Sequence, residues 1–171
     1  VVGRIKAALN FSKERPVWII EDISANSFLT VLPAQGSDGM RIGGVLGMQL
    51  EGVPYWGVAV VRRLLRNDAN QLHVGAEILA TQVAGVVLSQ SGGGARGFED
   101  GQLALWLNAK PGEASGEAKL LMRAGAFSPN RSLQTHLNGK NYLLIPNGLQ
   151  EKYIDCDLAR FRLVEQEEGE E

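Results

Sequence analysis

Two stretches of this chain carry side chains whose types and spacing suit recognition. In Asp22-Ile-Ser24-Ala-Asn26-Ser27 a carboxylate and two hydroxyls fall within six residues, enough to accept from and donate to the edge of a guanine base. The same residues also make an ordinary Asx or Ser turn between strands. The second stretch, Arg62-Arg63-Leu-Leu-Arg66, groups three guanidinium forks. Such forks pair with phosphate in two-point contacts and stack on flat ring faces. Neighbouring strand positions send Arg62 and Arg63 to opposite sides, so at least one of them is expected outside the core. A solvated strand end explains the cluster equally well.

Catalysis finds less to work with. A hydrolase needs a nucleophile, a base and a group that orients the base, and a zinc site needs three or four ligands. The two histidines, His73 and His136, have no metal spacing to each other or to Cys156, and read as ordinary strand residues. Asp155 and Asp157 bracket Cys156 and read as an exposed acidic face pairing with Arg160 or Arg162. A triple glycine beside Arg96 reads as a flexible loop in preference to a phosphate cradle, because Gly-x-x-x-x-Gly-Lys-Ser/Thr is absent. The chain is therefore expected to be non-catalytic, with no metal and no cofactor.

Bulk properties set the frame. At 171 residues, 44% of them hydrophobic, the chain can bury a real core. No apolar stretch approaches the roughly 20 residues of a membrane span, and no signal peptide opens it, so a cytoplasmic protein is expected. One cysteine rules out an internal disulfide framework. Glu165, Glu167, Glu168, Glu170 and Glu171 crowd the end, and residues 165–171 are expected to form an acidic disordered tail. Setting those five aside leaves 14 acidic residues against 17 basic ones, too slight an excess for binding duplex nucleic acid.

The elements that must position these residues read almost entirely as strands. Val17 to Ile20, Phe28 to Leu32, Arg41 to Leu50, Tyr55 to Leu64 and Leu72 to Leu79 are β-branched and apolar runs broken by turn residues. The glycines of Arg41 to Leu50 suggest a bulge or sharp bend. Asn67 to Gln71 reads as a hairpin turn, and so does Asn138-Gly139. Pro111-Gly112, Pro129-Asn130 and Pro146-Asn147-Gly148 read as further turns. Apolar residues at Val2, Ile5, Ala8 and Leu9 suggest a short amphipathic helix at the start. The expected fold is all-β: a small antiparallel β-barrel over residues 1–90, then a second β-rich, barrel-like half over 91–164. No internal sequence repeat is evident.

Three pieces taken in order resemble the PilZ domain, a bacterial family of cyclic di-GMP receptors. Ile20-Glu-Asp22-Ile-Ser24-Ala-Asn-Ser27 is similar to its Asp-x-Ser-x-x-Gly motif. Trp56-Gly-Val-Ala-Val-Val-Arg62-Arg63 resembles its arginine strand, and His73-Val-Gly75-Ala-Glu77-Ile-Leu its closing strand. The resemblance covers about residues 17–80. It implies a PilZ-like barrel in which Asp22 and Ser24 contact guanine, with Ser27 standing where the family has glycine. The family's phosphate-gripping Arg-x-x-x-Arg pair lies upstream of that motif. Here Arg4 sits at a plausible distance, and a partner four residues earlier would precede Val1. Arg62 and Arg66 have the spacing at another place in the chain. The implied partner is cyclic di-GMP or, for an adaptor of the same fold, a protein.

Overall fold

The structure, a computed structural model, describes residues 3–9, 17–35, 39–90, 101–108 and 116–167. These residues form twelve strands and no helix. Among the described residues, therefore, no helix is long and apolar enough to cross a membrane. The chain divides into two compact units, Val1–Val83 and Ala84–Glu171, a division that falls ahead of residue 90.

The first unit holds β1 (Gly3–Leu9), β2 (Val17–Ile23), β3 (Ser27–Pro33), β4 (Val45–Leu50), β5 (Gly57–Arg66) and β6 (Gln71–Ala80). They close into an antiparallel barrel in the order β1-β2-β3-β6-β5-β4, with β1 pairing both β2 and β4. Closure leaves no open edge for another chain to extend. Inside, Trp18, Ile20, Phe28, Leu46, Met48, Ala59, Val61 and Val74 make the core. The alternation in β2 and β3 sends every second residue there, while Val17, Ile19 and Leu29 stay on the outer wall. Thr30 is buried among the apolar groups, and its hydroxyl donates to the Ile19 carbonyl at 2.7 Å.

The second unit holds β7 (Val83–Gln90), β8 (Gln102–Leu107), β9 (Glu117–Arg123), β10 (Leu133–Leu137), β11 (Lys140–Lys152) and β12 (Cys156–Gln166). Its closed order is β7-β8-β9-β12-β11-β10. Strand for strand this is the order of the first barrel, so the chain contains one topology twice. Leu88, Leu120, Met122, Leu144 and Phe161 fill its core. Edge-on ring contacts join Trp106 to Tyr142 at 5.3 Å and Phe127 to Phe161 at 5.7 Å.

Several expectations change. The opening segment is strand β1, not a helix, because β2 and β4 supply backbone ladders on both of its sides. Pro146-Asn147-Gly148 is not a turn. It lies within β11, where the register shifts between Pro146 and Leu149 and Gly148 has φ +113°, a bulge that accommodates the missing proline N–H. Glu165 is no tail residue but part of β12, opposite Tyr142 and 3.4 Å from the Lys140 ammonium. Asp157 is buried instead of exposed, because it falls on the face of β12 that also carries the core residues Ala159 and Phe161, while Asp155 precedes the strand. Its Oδ2 accepts the Gly125 N–H at 3.0 Å. The loop around Arg96 and the Pro111-Gly112 turn lie outside the described residues, as do residues 168–171.

Candidate functional site

Asp22 belongs to a strand, not to the turn that follows it. On β2, Ile20 pairs with Thr30 and Asp22 with Leu29, so Glu21 is an extra residue that bulges out of the ladder. The bulge turns Asp22 outward, where it is exposed. The tight turn is made by the next residues. The Ser24 N–H donates to the Ser27 carbonyl at 2.8 Å, and the two hydroxyls stand 2.9 Å apart. The Ile78 N–H donates to the Asn26 carbonyl at 2.8 Å and ties the turn to β6. Ser27 opens β3 and is not among the residues with positive φ. Serine at the glycine position of the motif therefore carries no backbone strain here.

A second bulge governs the arginines. Val61 pairs with Ala76 and Arg63 with Gly75, leaving Arg62 as the extra residue on β5. Strict alternation would have sent Arg62 and Arg63 to opposite sides; with the bulge both are exposed, and the core resumes at Leu64. Arg62 Nε lies 2.7 Å from Glu77 Oε2 on the neighbouring strand. Arg63 makes no ion pair or side-chain hydrogen bond among the described residues, and neither does Asp22.

Strand pairing fixes what these groups share. Asp22 pairs with Leu29, Leu29 with Gly75 and Gly75 with Arg63, so four residues form one lateral row across β2, β3, β6 and β5. Three strand spacings separate its ends, about 14 Å. Barrel strands tilt against the axis, so this row climbs one side of the wall and does not encircle it. Ser27 and Glu77 pair in the next outward row. Arg4, exposed on β1 opposite Ile19, borders the same wall beside β2. It also lines a shallow cleft of about 400 Å³ with Val17 and residues 49–54.

The chain matches no family model, no curated protein and no solved structure. The geometry must speak for itself. Of the residues singled out by sequence, Asp22, Ser24, Ser27, Arg4, Arg62 and Arg63 come to one side of the first barrel. Arg66 does not: it pairs with Leu72, which pairs with Leu32, five residues along β3 from Ser27 and about 17 Å away. Arg62 and Arg66 therefore do not form a two-pronged grip, whatever their spacing.

Sequence reasoning passed over Glu77 and Leu29, which stand in the middle of this wall. Both lie in quoted or strand-like segments, but only the register reveals them as neighbours of Asp22 and Arg63. The two histidines hold amide side chains: His73 Nε2 is 3.0 Å from Asn67 Nδ2, and His136 Nδ1 is 2.8 Å from Asn141 Oδ1. Among the described residues no three of His, Cys, Asp and Glu gather as a metal site. What the wall offers is a carboxylate acceptor, two hydroxyls and two guanidinium groups around an apolar centre, the means to hold a flat polar ligand bearing negative charge.

Proposed function

We propose that this chain is a non-catalytic, PilZ-like receptor that binds cyclic di-GMP on the outer wall of its first barrel, in the bacterial cytoplasm where such a signal acts. The observation that carries the reading is the row Asp22–Leu29–Gly75–Arg63, which aligns on one side of the barrel a carboxylate and a guanidinium that have no side-chain partner among the described residues. In this reading Asp22 accepts from the donor edge of a guanine, and the Ser24 and Ser27 hydroxyls complete that edge. Arg63 and Arg4 take the phosphates or stack on the bases, since a guanidinium does both. Arg62 serves by holding Glu77 away from the phosphates, and Arg66 has no contact. Binding acts by ordering the wall, a shift of population and not a chemical step.

Calorimetric titration with cyclic di-GMP, and with GTP as control, tests the proposal. Micromolar binding of the cyclic dinucleotide that Asp22→Ala weakens about tenfold or more, or about 1.4 kcal/mol, supports it. Absence of heat with a chain extended upstream of Val1 rejects it. A second reading, an adaptor of the same fold with a protein partner and no nucleotide, is favoured by one observation: Ile19, Leu29 and Leu65 are exposed on this wall.

A further inference from the structure

The wall that carries Asp22 and Arg63 is apolar between its charges. Ile19 is 45% exposed, Leu29 46% and Leu65 67%. These three are not scattered. Ile20 pairs with Thr30, so Ile19 stands beside Val31, and the row continues through His73 to Leu65. Leu29 lies in the adjacent row, between Asp22 and Gly75. A set of large apolar groups gathered among charges marks a contact surface.

The order of the charges decides what fits it. Along the row Asp22–Leu29–Gly75–Arg63 the acid stands on β2 and the guanidinium on β5, equally far from a line drawn between β3 and β6. Turn a second copy by half a revolution about that line and lay it face to face. Its β5 then covers β2, and its β6 covers β3. Asp22 meets the partner's Arg63, and the symmetry of the operation makes the reverse contact as well. Ile19 meets the partner's Leu65 in the same way, apolar on apolar.

The centre of the face is suited to this contact too. Gly75 has no side chain, and a Cβ there would stand 3.4 Å from Leu29 Cδ2 and 3.3 Å from Arg63 Cβ. Leu29 thus leans across β6 toward the axis, where it reaches the partner's Leu29. A barrel wall is convex, so the contact is concentrated on these leucines and the long arginines bridge the widening gap at the edges. We propose that the outer wall of β2, β3, β6 and β5 is the docking surface for a second copy of this chain, in a two-fold symmetric dimer. A contact confined to one barrel wall belongs with the smaller, reversible interfaces. The proposal stands without the nucleotide reading, although both claim Asp22 and Arg63, so that a bound nucleotide and a second copy exclude each other.

Sedimentation velocity over a concentration series, with no nucleotide present, tests it. The wild-type chain is expected to pass from monomer to dimer as concentration rises. Asp22→Arg and Arg63→Asp each set like charges across the axis, and each raises the dimer dissociation constant about tenfold or more. Mixed in equal amounts, the two variants form a heterodimer in which both cross-axis pairs are again opposite in sign, and affinity returns to near the wild-type value. Leu29→Lys, exposed and therefore tolerated by the fold, remains monomeric. A wild-type chain that stays monomeric throughout overturns the proposal. So do single variants that dimerise as well as wild type, or a mixture that fails to recover.

Discussion

Arg62 and Glu77 face each other on neighbouring strands at 2.7 Å, and the arginine that makes this contact is the extra residue of a bulge. Both side chains are more than a third exposed, so the ion pair itself contributes little, about 0–1 kcal/mol. The bulge matters more, because it keeps Arg63 outside and Leu64 inside. Arg62→Ala is therefore expected to lower stability by about 1 kcal/mol at most. Deleting Arg62 removes only the extra residue: Val61 and Arg63 then stand opposite Ala76 and Gly75 as consecutive ladder positions, with Arg63 still outside and Leu64 still inside. An alanine inserted between Arg63 and Leu64, by contrast, slips the rest of β5 by one and turns Leu64 outward. Urea denaturation is expected to show a far larger loss for that insertion than for the deletion or the substitution.

Gly57 opens β5 where two backbones almost touch. A Cβ there would overlap the Ala80 carbonyl oxygen and stand 3.0 Å from Thr81 Cα, and neither neighbour is a side chain able to move aside. Gly57→Ala is expected to cost about 1–3 kcal/mol, the usual range for overpacking. Gly85→Ala, with nothing within 4 Å of its would-be Cβ, is the control and leaves the urea midpoint almost unchanged.

In the second barrel a buried carboxylate holds a turn. Asp157 is 5% exposed and accepts the N–H of Gly125, whose φ is +80°. Asp157→Ala leaves that donor without its partner and is expected to destabilise the chain by about 1–3 kcal/mol. Asp157→Asn keeps an acceptor oxygen and should lose less. Chemical denaturation of the two variants side by side gives the comparison.

Cys156 is a poor nucleophile by position. Partial burial, followed by the charges of Asp157 and Asp155, pushes its thiol from 9.0 up to about 11. The thiolate population near neutral pH is then about a hundredfold below that of a free cysteine. Alkylation by iodoacetamide is expected to be correspondingly slow and to accelerate as pH climbs toward 11. The unfolded chain loses this proton first, so stability is unaffected by the thiol below about 9 and falls as pH rises from there toward 11. Alkylation rates of folded and urea-unfolded samples, and urea midpoints, followed across alkaline pH, read the two effects.

The parts of the fold legible in sequence were those decided by neighbours in the chain. Asn67 announces the β5–β6 hairpin because its own Oδ1 accepts the N–H groups of Ala69 and Gln71, each at 3.0 Å. Asn138 and Gly139 do the same for β10 and β11, both with positive φ. The parts that escaped depend on distant strands. The first segment fits a helical period as well as an alternating one, and only its pairing with β2 and β4 decides between them. Pro146-Asn147-Gly148 serves a turn or a bulge equally well until β12 lies alongside it. The candidate site shows the same divide. Asp22, Ser24 and the arginines are visible as types, but the two bulges that bring Asp22 and Arg63 into one outer row have no local signal, and the repeat of one barrel order is written in pairing, not in residue identity.

The central claim is that the outer wall of the first barrel receives a cyclic dinucleotide, and backbone amide chemical shifts in the isotope-labelled chain test it most directly. On addition of cyclic di-GMP the account predicts the largest shifts at Arg4, Ile19, residues 22–29, Arg63 and residues 73–77, with the second barrel little changed. Shifts centred on the second barrel, or none at saturating nucleotide, would contradict it.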